Sequence, residues 1–549
     1  ATNLRHRMRH FYLAEPRYLN LGSTLGMQIR SLMSATTASN PSALRPLVSG
    51  VLALLTMGLA LGTFMEVLDT SIANVAVPTI SGNLGVATSE GTWVISSYSV
   101  ASAIAVPLTG WLARRLGEVK LFTISVLLFS IASALCGLAH NFESLIAFRL
   151  LQGLVSGPMV PLSQTILMRS YPPEKRGLAL GLWAMTVIVA PIFGPVMGGY
   201  ITDNYTWPWI FYINVPIGVF SAAIAWFLLR GHETKTTRQR IDGFGLTLLV
   251  IGVASLQVML DLGKDRDWFR SNFIVTLAIV SAVSLAFMFA WELTEKEPVI
   301  DLSLFRDRNF AMGVLITSLG FLAFFGSVVV LPLWLQTVLG YTPWLAGLAT
   351  APVGILALVI SPLIGQNMHR LNLRVVASCA FIVFAFVSFW NSTFTLDTPF
   401  HSIIYSRLIQ GIGVATFFVP MTTITLSSVS DDRLAGAAGL SNFLRTLSGA
   451  IGTTVSTTFW ENDMIRHHAV LTESVSAYAP NTSAYSELLA GLGLSGQALT
   501  AQLDRVVSAQ AYMMSTNDFF RVSCYAFLAL AAIVWLTRPK KGASASMGY

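Results

Sequence analysis

Of 549 residues, 54% are hydrophobic and only 11% are charged, with a net charge of +7. Soluble proteins carry roughly a quarter charged residues. No soluble fold hides so much apolar surface, so the composition excludes a water-soluble enzyme and indicates a polytopic membrane protein whose outer face meets lipid. In a soluble protein the positive charge would suggest nucleic acid; here its distribution along the chain matters more than its sum, and no nucleic-acid partner is implied.

Residues 1–47 are basic, nearly free of acids and without a long apolar run. They read as a cytoplasmic or membrane-surface tail whose composition resembles a targeting segment, with Met33 a credible natural start. Apolar stretches of membrane-spanning length follow at 48–69, 92–113, 120–139, 143–166, 177–200 and 209–229, then a pair at 243–262 and 273–293. Six more lie at 310–339, 344–368, 373–395, 402–427, 434–459 and 518–537. The expected architecture is therefore all-α, with fourteen transmembrane helices. An N-terminal six-helix bundle spans 48–229 and an inserted helix pair 230–300. A C-terminal six-helix bundle spans 301–538, and a short tail 539–549. The stretch 460–517 is too long for a simple connector and reads as a long outer loop with helical patches such as 499–513. Of the 34 lysines and arginines, 25 fall on the side of the N-terminus, which makes both termini cytoplasmic by the positive-inside rule.

The two halves resemble each other. Arg149-Leu-Leu-Gln152-Gly153 reappears as Arg407-Leu-Ile-Gln410-Gly411, each followed by a proline, Pro161 or Pro420, and Gly110 has a counterpart in Gly365. Duplicated halves with a site between them characterise transporters that work by rocking.

Acidic residues are scarce within the spans. Near the end of the first sits Glu66-Val-Leu-Asp69, two carboxylates on one helical face. A charge at mid-membrane costs about 2.5–3.5 kcal/mol, so such groups face a cavity, pair with a base or carry protons. Arg149 and Arg445 are the bases available at similar depth. A carboxylate alternately wet and buried takes up and gives back protons, which makes Asp69 and Glu66 the candidate proton-coupling sites and Arg149 their charge partner. A static ion pair, or snorkelling of Asp69 to the outer interface, is the structural alternative.

Three further features carry signal. The fifth span holds Ala190-Pro191-Ile-Phe-Gly194-Pro195-Val-Met-Gly198-Gly199, prolines that bend a helix and glycines that let a neighbour approach. The loop Gly110-Trp-Leu-Ala-Arg114-Arg115-Leu-Gly117-Glu118-Val-Lys120 sets opposite charges close together, as a conformational latch requires. Tyr98, Trp183, Met185, Phe324, Phe325 and Trp334 offer aromatic or soft surfaces for a substrate cavity between the halves.

The three cysteines lie far apart and the histidines fall in tails, loops or helix ends, so no metal site is expected. The one adjacent pair, His467 and His468, leaves a metal site open as the weaker alternative to a solvated loop. No nucleotide-binding motif is present, so no cofactor is implied and an ion gradient must drive transport.

Together these blocks resemble the major facilitator superfamily, specifically its fourteen-helix drug:proton antiporter branch and the EmrB-type multidrug efflux pumps. The resemblance runs from about 50 to 538. Its further marks are Leu68-Asp69-Thr-Ser-Ile-Ala-Asn74-Val-Ala-Val-Pro78 after the first helix and Trp207-Pro-Trp209-Ile-Phe211-Tyr-Ile-Asn214-Val-Pro216 at the sixth. Asp301-Leu-Ser-Leu-Phe305 and Leu440-Ser-Asn442-Phe-Leu-Arg445 complete it, and Arg407, Asn442 and Arg445 are the charged or polar candidates of the second half. The resemblance implies a bacterial inner-membrane antiporter that exports hydrophobic or amphipathic drugs, with Asp69 a proton site and the fifth-span run an antiporter signature. It implies an EmrA-like periplasmic adaptor and an outer-membrane channel as partners, with 460–517 the candidate adaptor contact. One departure stands out: the family's first loop usually has an aspartate four residues after the leading glycine, where this chain has Arg114. Glu118 stands where a basic residue is commoner, so a charge-swapped latch of Glu118 with Arg114 or another arginine is expected. An uptake symporter of the same fold is the rival reading.

Overall fold

The computed structural model describes residues 49–538 apart from 173–174, 238–241, 265, 296–297, 369, 476–479, 492 and 494. The expected tails 1–47 and 539–549 lie outside the described residues. Among those described there is no strand, and helices occupy every expected span. In the first half these are α1 (Ser49–Leu84), α2 (Trp93–Leu116), α3 (Glu118–Gly137), α4 (Phe142–Ser170, interrupted at Gly157 and Pro158), α5 (Arg176–Asn204) and α6 (Trp209–Leu229). The inserted pair is α7 (Gly243–Leu262) and α8 (Asn272–Glu292). The second half has α9 (Arg308–Thr337), α10 (Trp344–Asn367), α11 (Leu373–Asn391), α12 (Phe400–Leu426), α13 (Leu434–Ser474) and α14 (Gln497–Leu536). Twelve of the fourteen are long and apolar enough to cross a membrane; α5, bent by 41° between Pro191 and Val196, adds a thirteenth. The remaining helix, α13, is richer in Gly, Ser and Thr but packs along α9 inside the second half.

Local chemistry sets the helix starts. The side chains of Asn141, Asp242, Asp307, Thr342 and Asn372 accept hydrogen bonds from backbone N–H groups in the first turns of α4, α7, α9, α10 and α11. The last turn of α2 passes into α3 through Gly117 at φ +90°, a conformation an L side chain rarely adopts.

Two boundaries correct the sequence reading. The first helix does not end at 69 but runs on to Leu84, so Glu66 and Asp69 sit in its middle and the run from Leu68 to Pro78 lies within it rather than after it. At the other end, 460–517 is a helical hairpin more than a loop. α13 continues to Ser474, a short helix spans Pro480–Gly491, and α14 begins at Gln497. Neither continuation contains Gly or Pro, so nothing in the local sequence stops either helix. Trp460 joins them: its Nε1 donates to Thr516 Oγ1 at 2.8 Å and its carbonyl accepts from Ser515 Oγ at 2.5 Å.

The halves meet with approximate two-fold symmetry. The second helix of each packs on the fifth helix of the other, α2 on α13 and α10 on α5, glycine against glycine. A Cβ on Gly110 would lie 2.5 Å from the Cα of Gly436, and one on Gly177 would lie 2.5 Å from the carbonyl oxygen of Gly365. The repeated motif glycines act within each half: Gly153 brings α4 onto the backbone of α2 at Tyr98, and Gly411 brings α12 onto that of α10 at Val353. Both glycine-to-glycine contacts lie at the end of the molecule that carries the Arg114–Lys120 turn, here called the basic end.

The inserted pair covers the α2–α13 seam. α7 packs on α2 and on α13. Asp261, within α7 and overlooked among the intramembrane acids, is held by Gln257 at 3.0 Å and by Ser96 of α2. Lys264 forms an ion pair with Glu461 of α13 at 2.6 Å.

Candidate functional site

Asp69 is 2% exposed and is the hub of a polar network joining five helices of the first half. Its Oδ2 accepts from Arg149 Nη1 at 2.6 Å; its Oδ1 accepts from Gln152 Nε2 at 3.1 Å and from Asn214 Nδ2 at 2.7 Å. Arg149 also donates to Gln152 Oε1 and to the carbonyl of Val94, and its guanidinium lies 4.3 Å from the ring centre of Tyr98. Asn214 reaches Ser133 Oγ at 3.0 Å, and the Cys136 thiol lies against Gln152. The i, i+3 spacing of Arg149 and Gln152 places both on one face of α4. This arrangement rules out snorkelling of Asp69 to an interface. Sequence reasoning found Asp69 and Arg149 but missed that Gln152 and Asn214 bind the same carboxylate; the signal was their place in the repeated Arg-Leu-Leu-Gln block and in the block ending at Val215-Pro216.

Asn214 is fully buried, so Asn214→Ala leaves Asp69 and Ser133 short of a donor. The expected loss is about 1–3 kcal/mol of stability, read as a lower melting temperature in detergent; an unchanged melt would remove Asn214 from the network.

Glu66 behaves differently. It is buried, its Oε2 has no hydrogen-bond partner, and it lies in electrostatic range of Arg445 on the opposite half, beside the backbone of Val160 where α4 restarts. The two carboxylates, three residues apart, thus differ: Asp69 is bound into the network of its own half, whereas Glu66 stays out of that network and also feels the charge of Arg445 across the seam. Arg149 pairs with Asp69 alone. Arg445 stacks over Phe321 at 5.0 Å and, with Asn442, Gln164 and Thr317, lines a small polar cleft. Asn442 Nδ2 donates across the halves to Gln164 Oε1 at 3.1 Å. Arg407, the repeat counterpart of Arg149, is buried but touches only the Ser406 hydroxyl at 3.3 Å, with no acidic partner among the described residues.

The fifth-span run packs against α1 just past Asp69. Ser71 Oγ donates to the Pro191 carbonyl at 3.2 Å; Gly194 faces Ser71 and Gly198 faces Ile72. Gly199 has open space where a Cβ would stand, and Pro195 contributes to the helix backbone at the bend.

In the Gly110–Lys120 turn the partner of Glu118 is Arg169, at 3.1 Å, rather than Arg114. Arg169 also donates to the carbonyl of Asp431 in the second half, so the charge pair is anchored across the seam. Arg114 offers its carbonyl to the Thr237 N–H, and Arg115 lies over Trp111 at 5.2 Å. Glu233, unremarked in the sequence, accepts from the Val119 and Lys120 N–H groups and so caps α3.

Of the aromatic and soft candidates, Met185 lines a groove of about 560 Å³ between α1 and α5, with Met57, Phe64, Leu182 and Lys175. Tyr98 belongs to the Arg149 site. Trp183 and Trp334 are core residues rather than cavity walls: the first donates to Ser163 at 2.9 Å and the second stacks on Phe394. Phe324 and Phe325 join a cluster with Phe321 and Phe384.

Two pseudo-symmetric helical bundles with a charged network buried in one of them define a secondary transporter of the membrane. The model of the Major Facilitator Superfamily matches residues 59–453. The chain belongs to that superfamily and, within it, to the family of the EmrB multidrug export proteins. It is 50% identical over 505 residues to the "Multidrug export protein EmrB" of Escherichia coli (strain K12), covering 92% of this chain and 99% of that protein. It is 49% identical to the "Fatty acid resistance protein FarB" of Neisseria gonorrhoeae, covering 90% and 97%. Among solved structures, the proton:xylose symporter XylE matches with a TM-score of 0.56 at 14% identity, covering 89% of this chain and 96% of that one, a likeness of fold.

Proposed function

We infer that the protein exports hydrophobic or amphipathic drugs from a bacterial cell across the inner membrane in exchange for protons, with the basic end in the cytoplasm. The family supports drug efflux, and the buried Glu66–Asp69 pair carries the coupling. A proton on Asp69 removes the negative charge that holds Arg149 at 2.6 Å, so its arrival weakens that pair and loosens the first half. Glu66 has a free oxygen, and its charge state sets its attraction to Arg445 in the other half. Protonation thus weakens an electrostatic attraction between the halves, and drug binding that favours the opposite orientation favours release of the proton. The Gly110–Gly436 and Gly177–Gly365 contacts, with Glu118–Arg169, latch the cytoplasmic side when the halves swing together. An EmrA-like periplasmic adaptor is the proposed partner of the helical hairpin at the outer end, leading to an outer-membrane channel.

Efflux of a drug panel, with the proton gradient intact or collapsed and the adaptor present or absent, tests this reading. Uphill export should stop when the gradient collapses; persistence without it refutes proton coupling, and export into the medium that is indifferent to the adaptor refutes the tripartite assembly.

A further inference from the structure

One cluster of metal-binding side chains lies outside the transport machinery, where the hairpin leaves the membrane. Asp463 and His467 stand one turn apart on α13, and Asp518 faces them from α14. His467 Nε2 lies 2.9 Å from Asp518 Oδ2 and 3.3 Å from Asp463 Oδ2, and the three ligand atoms are all within 4.8 Å of one another. Neighbouring ligands around a tetrahedral ion with bonds of about 2.0–2.1 Å stand about 3.3 Å apart, so the observed spacing is already close to that of a first shell. The Asp463 Oδ2 atom is buried and takes no hydrogen bond.

We propose that Asp463, His467 and Asp518 form a binding site for a divalent transition-metal ion, with zinc the natural probe. Charge favours this occupant. Two carboxylates and a neutral imidazole carry two negative charges, which a dication cancels; a proton on the ring cancels one. Arg521 Nη1 donates to the other oxygen of Asp518 at 3.1 Å, holding that carboxylate as outer-shell partners do in metal sites. Support is rigid: the Trp460–Thr516 and Trp460–Ser515 bonds pin the two helices one turn below, so the ligands are presented by fixed backbones. The adjacent His468 pairs separately with Asp504 at 3.0 Å and is not a ligand. The ion staples α13 to α14 at the base of the projecting hairpin, about 27 Å along α13 from Arg445 at 1.5 Å per residue.

The test uses the full-length protein in detergent, purified without a histidine tag and stripped with a chelator. Titration with Zn2+ should show one bound equivalent and a raised melting temperature, and Co2+ should give the visible absorption of a low-coordinate site. His467→Gln and Asp518→Asn should each weaken Zn2+ at least about tenfold, and Asp463→Asn likewise. His468→Ala should bind as the parent does. Absence of stoichiometric Zn2+ binding overturns the proposal, as does binding that survives all three ligand substitutions or disappears in His468→Ala. Melting that shifts with pH but not with Zn2+ would make the cluster a protonated histidine between two aspartates and also overturn it.

Discussion

Asp69→Asn is expected to reduce drug-driven proton release from proteoliposomes to background. The substitution is nearly isosteric, so its effects come from charge and hydrogen bonding. Arg149 would keep its charge in the interior without the carboxylate at 2.6 Å, and breaking a buried pair in this way costs about 3–5 kcal/mol. The new amide would also set an N–H group against the donors of Arg149, or against those of Gln152 and Asn214. Loss of transport by itself could therefore reflect weaker folding. Asp69→Asn combined with Arg149→Gln separates the two effects, because replacing both members of a buried pair is far less costly than removing one. The double variant should melt closer to the parent yet still release no protons. Undiminished proton release from either folded variant removes Asp69 from the proton path. Glu66→Gln, by contrast, disturbs no hydrogen bond at Oε2; it should leave melting nearly unchanged while flattening the dependence of efflux on external pH.

Gly365→Val is expected to open the seal at the basic end. A Cβ there falls on the carbonyl oxygen of Gly177, with its carbonyl carbon at 2.8 Å and the Cα of Leu178 at 3.1 Å. These are backbone atoms and cannot rotate aside as a flexible side chain would, so α10 and α5 must part. Each 1.4 kcal/mol imposed on the sealed state reduces its population about tenfold. Ser361 is fully buried beside Gly181 on the same seam, and a cysteine there reports the opening. In a background lacking Cys379 and Cys524, Ser361→Cys should react with a maleimide at least about tenfold faster when Gly365→Val is present, with transport reduced by a similar factor. Gly199→Val is the control: although Gly199 belongs to the fifth-span signature, its Cβ would meet nothing within 4 Å, and transport should be retained. Equal labelling with and without Gly365→Val would show that this glycine contact does not close the seam.

Much of the architecture was legible because lipid imposes a simple rule: a helix must be apolar for about 20 residues to cross. Helix ends away from the hydrocarbon obey no such rule, which is why hydropathy ends α1 at Asp69 and reads the α13 and α14 extensions as a loop. The site was legible where a residue is conspicuous for its environment, as Asp69, Glu66 and Arg149 are. Asn214, Ser133 and Gln152 are common polar residues, conspicuous only once α1, α3, α4 and α6 bring them to one carboxylate. In the sequence Arg169 is one basic residue among many, and only the fold shows that it bridges Glu118 to the second half.

The chain by itself determined a many-helix membrane protein with duplicated halves and misplaced charges, because hydropathy, charge bias and repetition are properties of order along the sequence. Which carboxylate is held in the network of its half was decided only by tertiary structure. Glu66 and Asp69 are alike in composition and share a helix. They differ because α4 and α6 of one bundle close around Asp69, while Glu66 is left outside that network, within electrostatic range of Arg445 on the opposite bundle. Partners so far apart along the chain are set by packing, and local sequence carries no record of them.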